Sequence, residues 1–188
     1  MAKLLKSFLL LSSLILFTAC GSDSPESPEE SAGWKTFEGS SFSMKYPQDW
    51  EVLEKKDFTS NVPPSTVVAF RNNIKDDIFT ANLNINVGEA DEKLTAEDYA
   101  KSTKSKLKDS LVGFTETKTE PVTLGEDLKG YELQFTGKKS SADPVINFRQ
   151  IFIVNDGIGY TINAAYRQNE DESVVNFLNE MINSFSLK

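Results

Sequence analysis

Few side chains in this 188-residue sequence are equipped for chemistry. There is no histidine, so Ser-His-Asp and Cys-His nucleophiles, the H-E-x-x-H zinc motif and every imidazole metal site are excluded. No glycine-rich loop has either common phosphate-binding spacing. Carboxylates, amides and lysines remain. Paired carboxylates, or a serine with a lysine, could serve a hydrolase that works without histidine, but no acid pair here is brought to one cleft by its spacing. The turn holding Asn72, Asn73, Asp76 and Asp77 is rich in oxygen; it lacks EF-hand spacing, and a plain hairpin turn accounts for it better than a weak calcium site. Glu170, Asp171 and Glu172 are consecutive, do not face one ligand on a helix, and suit a helix start. The expectation is no catalytic residue, no metal site and no cofactor.

Cys20, the single cysteine, has a different role. Lys3 and Lys6 precede an apolar run from Phe8 through Phe17, followed by the small residues Thr18 and Ala19. These are the parts of a secretory signal, and the run is far shorter than the ~20 residues of a membrane span. The stretch Leu16-Phe17-Thr18-Ala19-Cys20-Gly21 resembles a bacterial lipobox, in which the cysteine is lipidated and becomes the mature N-terminus. Phe17 stands where leucine is usual, yet it is too bulky for the small-x-small site of ordinary signal cleavage. A lone cysteine also has no disulfide partner in an oxidising compartment. Residues 1–19 are therefore expected to be a signal peptide, and lipid on Cys20 is expected to tie the protein to a membrane in the cell envelope. Acyl chains contribute ~0.8 kcal/mol per buried CH₂, so two of them anchor a protein without a span.

Loss of residues 1–19 removes two lysines and no acid, leaving a formal charge of −10. That balance argues against a nucleic-acid partner. Residues 20–33, the cysteine followed by a stretch of acids, serines and prolines, read as an extended tether. Residues 34–188 are enough for one domain with one core, and all but two of the thirteen phenylalanines fall within it.

The domain's elements follow from hydrophobic period. Phe42, Met44 and Tyr46 alternate with polar residues until Pro47 ends the strand, and Trp50 opens the next. Residues 57–65 are irregular, residues 67–71 extended. In the stretch 79–87, Phe79, Ala81, Leu83, Ile85 and Val87 share one face, and Thr80, Asn82, Asn84 and Asn86 the other. That amide face is either a surface for a polar ligand or a solvated face bonded under a neighbouring element, the second being the more ordinary outcome. Thr95 caps a helix with Ala96, Ala100, Thr103, Leu107 and Leu111 on one side. Lys101, Lys104 and Lys108 form its flank, which could meet an anionic partner but reads more simply as solvated and partly neutralised by Glu97. Residues 114–122 suggest an edge strand. Residues 146–154 and 158–166, joined by Asn155-Asp156-Gly157, suggest a central hairpin. Val174, Val175, Phe177, Leu178, Met181, Ile182 and Phe185 mark a terminal amphipathic helix. The class predicted is α+β.

Phe42-Ser43-Met44-Lys45-Tyr46-Pro47 with Trp50, the strand ending at Gly88, the start Leu94-Thr95-Ala96-Glu97-Asp98-Tyr99, the Asn155-Asp156-Gly157 turn and the closing Ile182-Asn183-Ser184-Phe185 resemble the PsbP-like family over nearly the whole domain. The resemblance implies an antiparallel sheet of about six or seven strands flanked by helices, an α/β/α sandwich. It also implies binding or assembly rather than catalysis, many bacterial members being lipoproteins. Where metal binding is associated with photosynthetic members histidines take part, and none is present, so no functional residue carries over. The function expected is a non-catalytic envelope binding or assembly module with a protein partner. The alternative is a carrier of a small apolar or lipid ligand held between sheet and helix. Contact is expected at two loops, one with Asp57, Asn61, Pro63 and Pro64, the other with Lys138 and Asp143.

Overall fold

The computed structural model describes residues 33–59 and 62–188. The signal peptide, Cys20, most of the tether and Asn61 lie outside the described residues. The chain forms β1 (Trp34–Glu38), β2 (Phe42–Pro47), β3 (Glu51–Glu54), β4 (Thr66–Arg71), β5 (Asn82–Glu89), α1 (Ala96–Ser110), β6 (Val112–Leu124), β7 (Leu128–Lys138), β8 (Ile146–Asn155), β9 (Ile158–Arg167), α2 (Glu172–Asn183) and β10 (Ser186–Leu187). A seven-stranded antiparallel sheet runs β3-β4-β5-β9-β8-β7-β6, and a small sheet runs β1-β2-β10. The hairpin β8-β9 lies at the middle of the large sheet and β6 at its edge, as the hydrophobic pattern predicts. The tight turn between β8 and β9 has φ of 49° at Asp156 and 73° at Gly157, the left-handed pair a two-residue hairpin needs.

One face of the large sheet is sealed by α2 and the small sheet. Val68, Phe70, Leu83, Ile85, Ile151, Ile153, Tyr160 and Ile162 point into this core with Val174, Leu178, Met181 and Ile182 of α2. A twelve-residue helix is marginal alone, and its four buried apolar side chains, each worth about 1.5–3 kcal/mol on burial, hold it in place. Asp171 caps it through the Ser173 N–H at 2.8 Å, so the acid cluster is a helix start. β1 and β10 carry no readable period. β10 has two residues, and β1 has no buried position to mark a period.

The other face is covered only in part. α1 lies over β7 and β8, where Phe114, Phe135 and Phe148 stack at centroid spacings of 5.1 and 4.8 Å and Tyr99 meets Phe152 edge-on at 5.3 Å. Gly159 makes room for Tyr99, since a Cβ there would sit 3.0 Å from the ring. Thr95 caps α1 through the Asp98 N–H at 3.1 Å. The lysine flank is largely engaged: Lys101 with Glu97 and Lys104 with Glu116, both at 2.9 Å, and Lys108 over the Phe114 ring. The strand expected from Phe79 begins instead at Asn82. The Asp76 side chain accepts from the Ile78 and Phe79 N–H groups at 2.8 and 3.2 Å and draws that backbone into the preceding turn.

Candidate functional site

The part of this second face that α1 leaves open carries the amides. The strand register sets Leu53, Ala69, Asn84, Asn163, Gln150 and Leu133 in one row across β3, β4, β5, β9, β8 and β7. The next row places Thr66 opposite Asn86 and Asn86 opposite Thr161. Neighbouring strands are ~4.8 Å apart, so Asn84, Asn163 and Gln150 stand within side-chain reach of one another. The segment after β3 returns over them. Phe58, Val62 and Pro63 form one wall of a groove of about 400 Å³, whose other lining includes Leu53, Thr66, Ala69, Asn84, Asn86, Asn163 and Gln150.

No charged side chain among the described residues lines this groove, although the protein is strongly acidic. Thr66 Oγ1 donates to Asn86 Oδ1 at 2.7 Å, and Asn86 Nδ2 donates to Asn84 Oδ1 at 3.3 Å. Gln150 Nε2 donates to Asn163 Oδ1 at 3.1 Å. Gln150 Oε1 has no partner among the described residues, although the residue is only 8% exposed. An unpaired buried acceptor costs about 1–3 kcal/mol, so a group that donates to it would recover a real penalty. The other such atom among the described residues, Arg167 Nε, lies 3.9 Å from the Glu170 carboxylate. The groove thus offers amide groups and an apolar wall to a neutral ligand group, with the unpaired Gln150 acceptor buried at its floor. Nothing in it can take up or release a proton near neutral pH.

The opposite face of the same strands holds a charged cluster built the other way. Glu132 on β7 is 1% exposed. Its carboxylate accepts from Arg149 Nε and from Gln134 Nε2 at 3.1 Å, and lies 3.1 Å from Lys118 Nζ. Arg149 Nη1 continues to Asn179 Oδ1 of α2 at 2.7 Å. Burial pushes the Glu132 carboxyl up, but the bonds from Arg149, Gln134 and Lys118 outweigh it and hold the group below the ordinary glutamate range. Burial also raises the neighbouring Tyr166 phenol. Every member of this cluster is paired, the mark of a structural network.

The residues expected to make contact separate into two places. Residues 55–65 join β3 to β4 at one end of the large sheet, and residues 139–145 join β7 to β8 at the other. Asp57 is exposed and caps the Glu54 N–H at 3.0 Å, Pro63 lines the groove, and Pro64 is exposed beside it. Lys138 lines a separate cavity of about 420 Å³ with Val112, Ser141, Val145 and Gln168, while the Asp143 N–H bonds the Ser140 carbonyl at 3.2 Å. The first loop and the Asn84 and Asn86 stripe, read independently in the sequence, meet in one groove. Gln150 and Asn163 were missed. A signal for Gln150 was present, since it is the one polar residue between Phe148 and Phe152 on a face otherwise given to the core.

A seven-stranded antiparallel sheet between helices is an α+β sandwich. The family model for PsbP-like protein matches residues 19–187, and the chain belongs to that family. No curated protein matches it. Among solved structures it is similar to cyanobacterial PsbP (CyanoP) from Synechocystis sp. PCC 6803, with 16% identity and a TM-score of 0.62 over 84% of this chain and 94% of that one. It is also similar to LpqN, involved in cell envelope biogenesis of Mycobacterium tuberculosis, with 15% identity and a TM-score of 0.58 over 83% and 91%. At such identities the likeness is one of fold.

Proposed function

We propose that this protein is a non-catalytic binding module of the cell envelope, held to a membrane by lipid on Cys20, and that its protein partner is recognised at the amide groove. The observation that carries the reading is the buried, unpartnered Gln150 Oε1 on the floor of the groove, under the loop expected to make contact. Family membership, the lipobox-like residues before Cys20 and the envelope role of LpqN support the location. An uncharged groove suits a partner segment that presents a neutral donor, such as an amide or hydroxyl, rather than an ion. The test is a photoreactive residue placed in the full-length protein in cells at Pro64 or, as a control, at Asp143. One reproducible protein should crosslink from position 64 and not from 143, with Cys20 acylated by mass spectrometry. Equal capture from both positions would sink the groove assignment, and an unmodified Cys20 the anchor.

The carrier reading retains one specific support. A cavity of about 360 Å³ lies between the small sheet and the large one, walled by Phe37, Phe42, Val67 and Val87 with Glu54 and Lys55 also in its lining. A lipid that co-purifies with the protein and is lost on Val87→Trp would move the assignment there.

A further inference from the structure

The loop between β4 and β5 has its polarity inverted. Asn72 is 4% exposed, whereas Ile74 and Ile78 are 72% and 66% exposed. This is not the slack of a loose loop. Asn72 Oδ1 accepts from the Ile74 N–H at 3.2 Å and Asp76 Oδ1 from the Ile78 N–H at 2.8 Å, two side-chain turns that fix the backbone under each isoleucine. Arg167 bonds Asp76 at 2.9 Å from below. Asn72 and Asp76 are spent on holding the loop, and the isoleucines are left facing solvent with Lys75 and Asp77 beside them.

The place where the chain enters the domain lies beside this loop. The Gly33 carbonyl accepts from the Gln48 N–H at 2.8 Å, and Asn73 Nδ2 donates to the next residue, Asp49, at 2.8 Å. Cys20 is thirteen residues before Gly33, so covalent reach keeps this end of the domain within about 45 Å of the anchoring cysteine. Resting on the Cys20 reading, we infer that Ile74 and Ile78 insert into the membrane surface as a second contact, with Lys75 between them able to reach the headgroups. The groove loop, residues 55–65, lies at the other end of β4. Seating Ile74 and Ile78 in lipid therefore turns the groove loop away from the membrane, toward a partner.

The test uses the full-length lipidated protein in phosphatidylcholine vesicles. With Cys20 acylated, an added cysteine is the only free thiol, so Lys75→Cys and, at the far end, Glu126→Cys each take one nitroxide. The label at 75 should collide several-fold more with dissolved oxygen than with a water-soluble nickel chelate, and the label at 126 should show the reverse. Adding Ile74→Asn and Ile78→Asn should return the label at 75 to the aqueous ratio while the protein still sediments with vesicles. An aqueous label at 75 in the parent protein, on a chain that sediments, overturns the inference alone. A chain with unmodified Cys20 that stays in the supernatant overturns the anchor and this contact together.

Discussion

Two buried polar clusters sit back to back on the same strands and differ in how they are completed. On the α2 face, Glu132 is met by Arg149, Gln134 and Lys118, and Arg149 by Asn179, so that charge is buried but answered. On the α1 face, Gln150 and Asn163 are uncharged, and the Gln150 carbonyl is left over. They share β8 and face opposite ways, the charged one centred on β7 and β8 and the neutral one on β8, β9 and β5. The register that sets Glu132 beside Ile151, Ile162 and Ile85 sets Gln150 beside Asn163, Asn84 and Ala69. The charged cluster lies beneath a helix that supplies one of its partners, and the neutral one beneath an open groove. The difference suggests how to tell structure from function here: a complete network holds the fold, and the incomplete one is where we propose that a partner docks.

The largest expected effect lies on the complete side. Glu132→Gln should destabilise the protein by about 3–5 kcal/mol in chemical denaturation, because Arg149 is left with an uncompensated charge. Replacing the pair together, Glu132→Leu with Arg149→Met, should recover most of that loss; a double variant as unstable as the single one would mean that packing rather than pairing dominates. The same carboxyl gives a pH dependence. Its pKa is lowered on folding, so its contribution is fully present above the ordinary glutamate value of about 4.3 and disappears as the pH falls through the lower folded value. Glu132→Gln should flatten stability against pH across that acid window and leave it unchanged near neutrality apart from the constant loss.

A smaller effect separates the two halves of the α1 face. Thr95→Ala removes the cap of α1 and should cost about 1 kcal/mol in the same denaturation measurement. It should leave crosslinking from Pro64 intact, because α1 lies over β7 and β8 whereas the groove wall is formed by Phe58, Val62 and Pro63. Loss of crosslinking in that variant would tie the groove to the helix and weaken the division drawn between them.

Much of this organisation can be read from residue order, and the rest fails for physical reasons. Alternation marks the asparagine face of β5 because Leu83, Ile85 and Val87 make the other side apolar. The two-residue turn at Asp156 and Gly157 announces the central hairpin because few residues tolerate its backbone. Ladder position is invisible to such reasoning. Asn163 and Gln150 become neighbours of Asn84 only through strand pairing, and Glu132 meets Arg149 and Asn179 only once β7, β8 and α2 are assembled. The loops 57–65 and 138–144 look alike in sequence, both polar and rich in proline or serine, and only the direction of the strands sets them at opposite ends. The outward isoleucines of the 72–81 loop gave no warning either, since a pair of apolar residues beside a turn ordinarily packs inward.

The central claim is that the Gln150 carbonyl is unpaired for the benefit of a partner, and Gln150→Leu tests it by two readouts on the full-length protein. Leucine removes the orphaned acceptor together with the Nε2 donor to Asn163, which is half-buried and open to the groove, so stability in denaturant should hold within about 1 kcal/mol or rise, while crosslinking of the partner from Pro64 should be lost. A variant that is destabilised by several kcal/mol, or that keeps its crosslinked partner, would contradict the account.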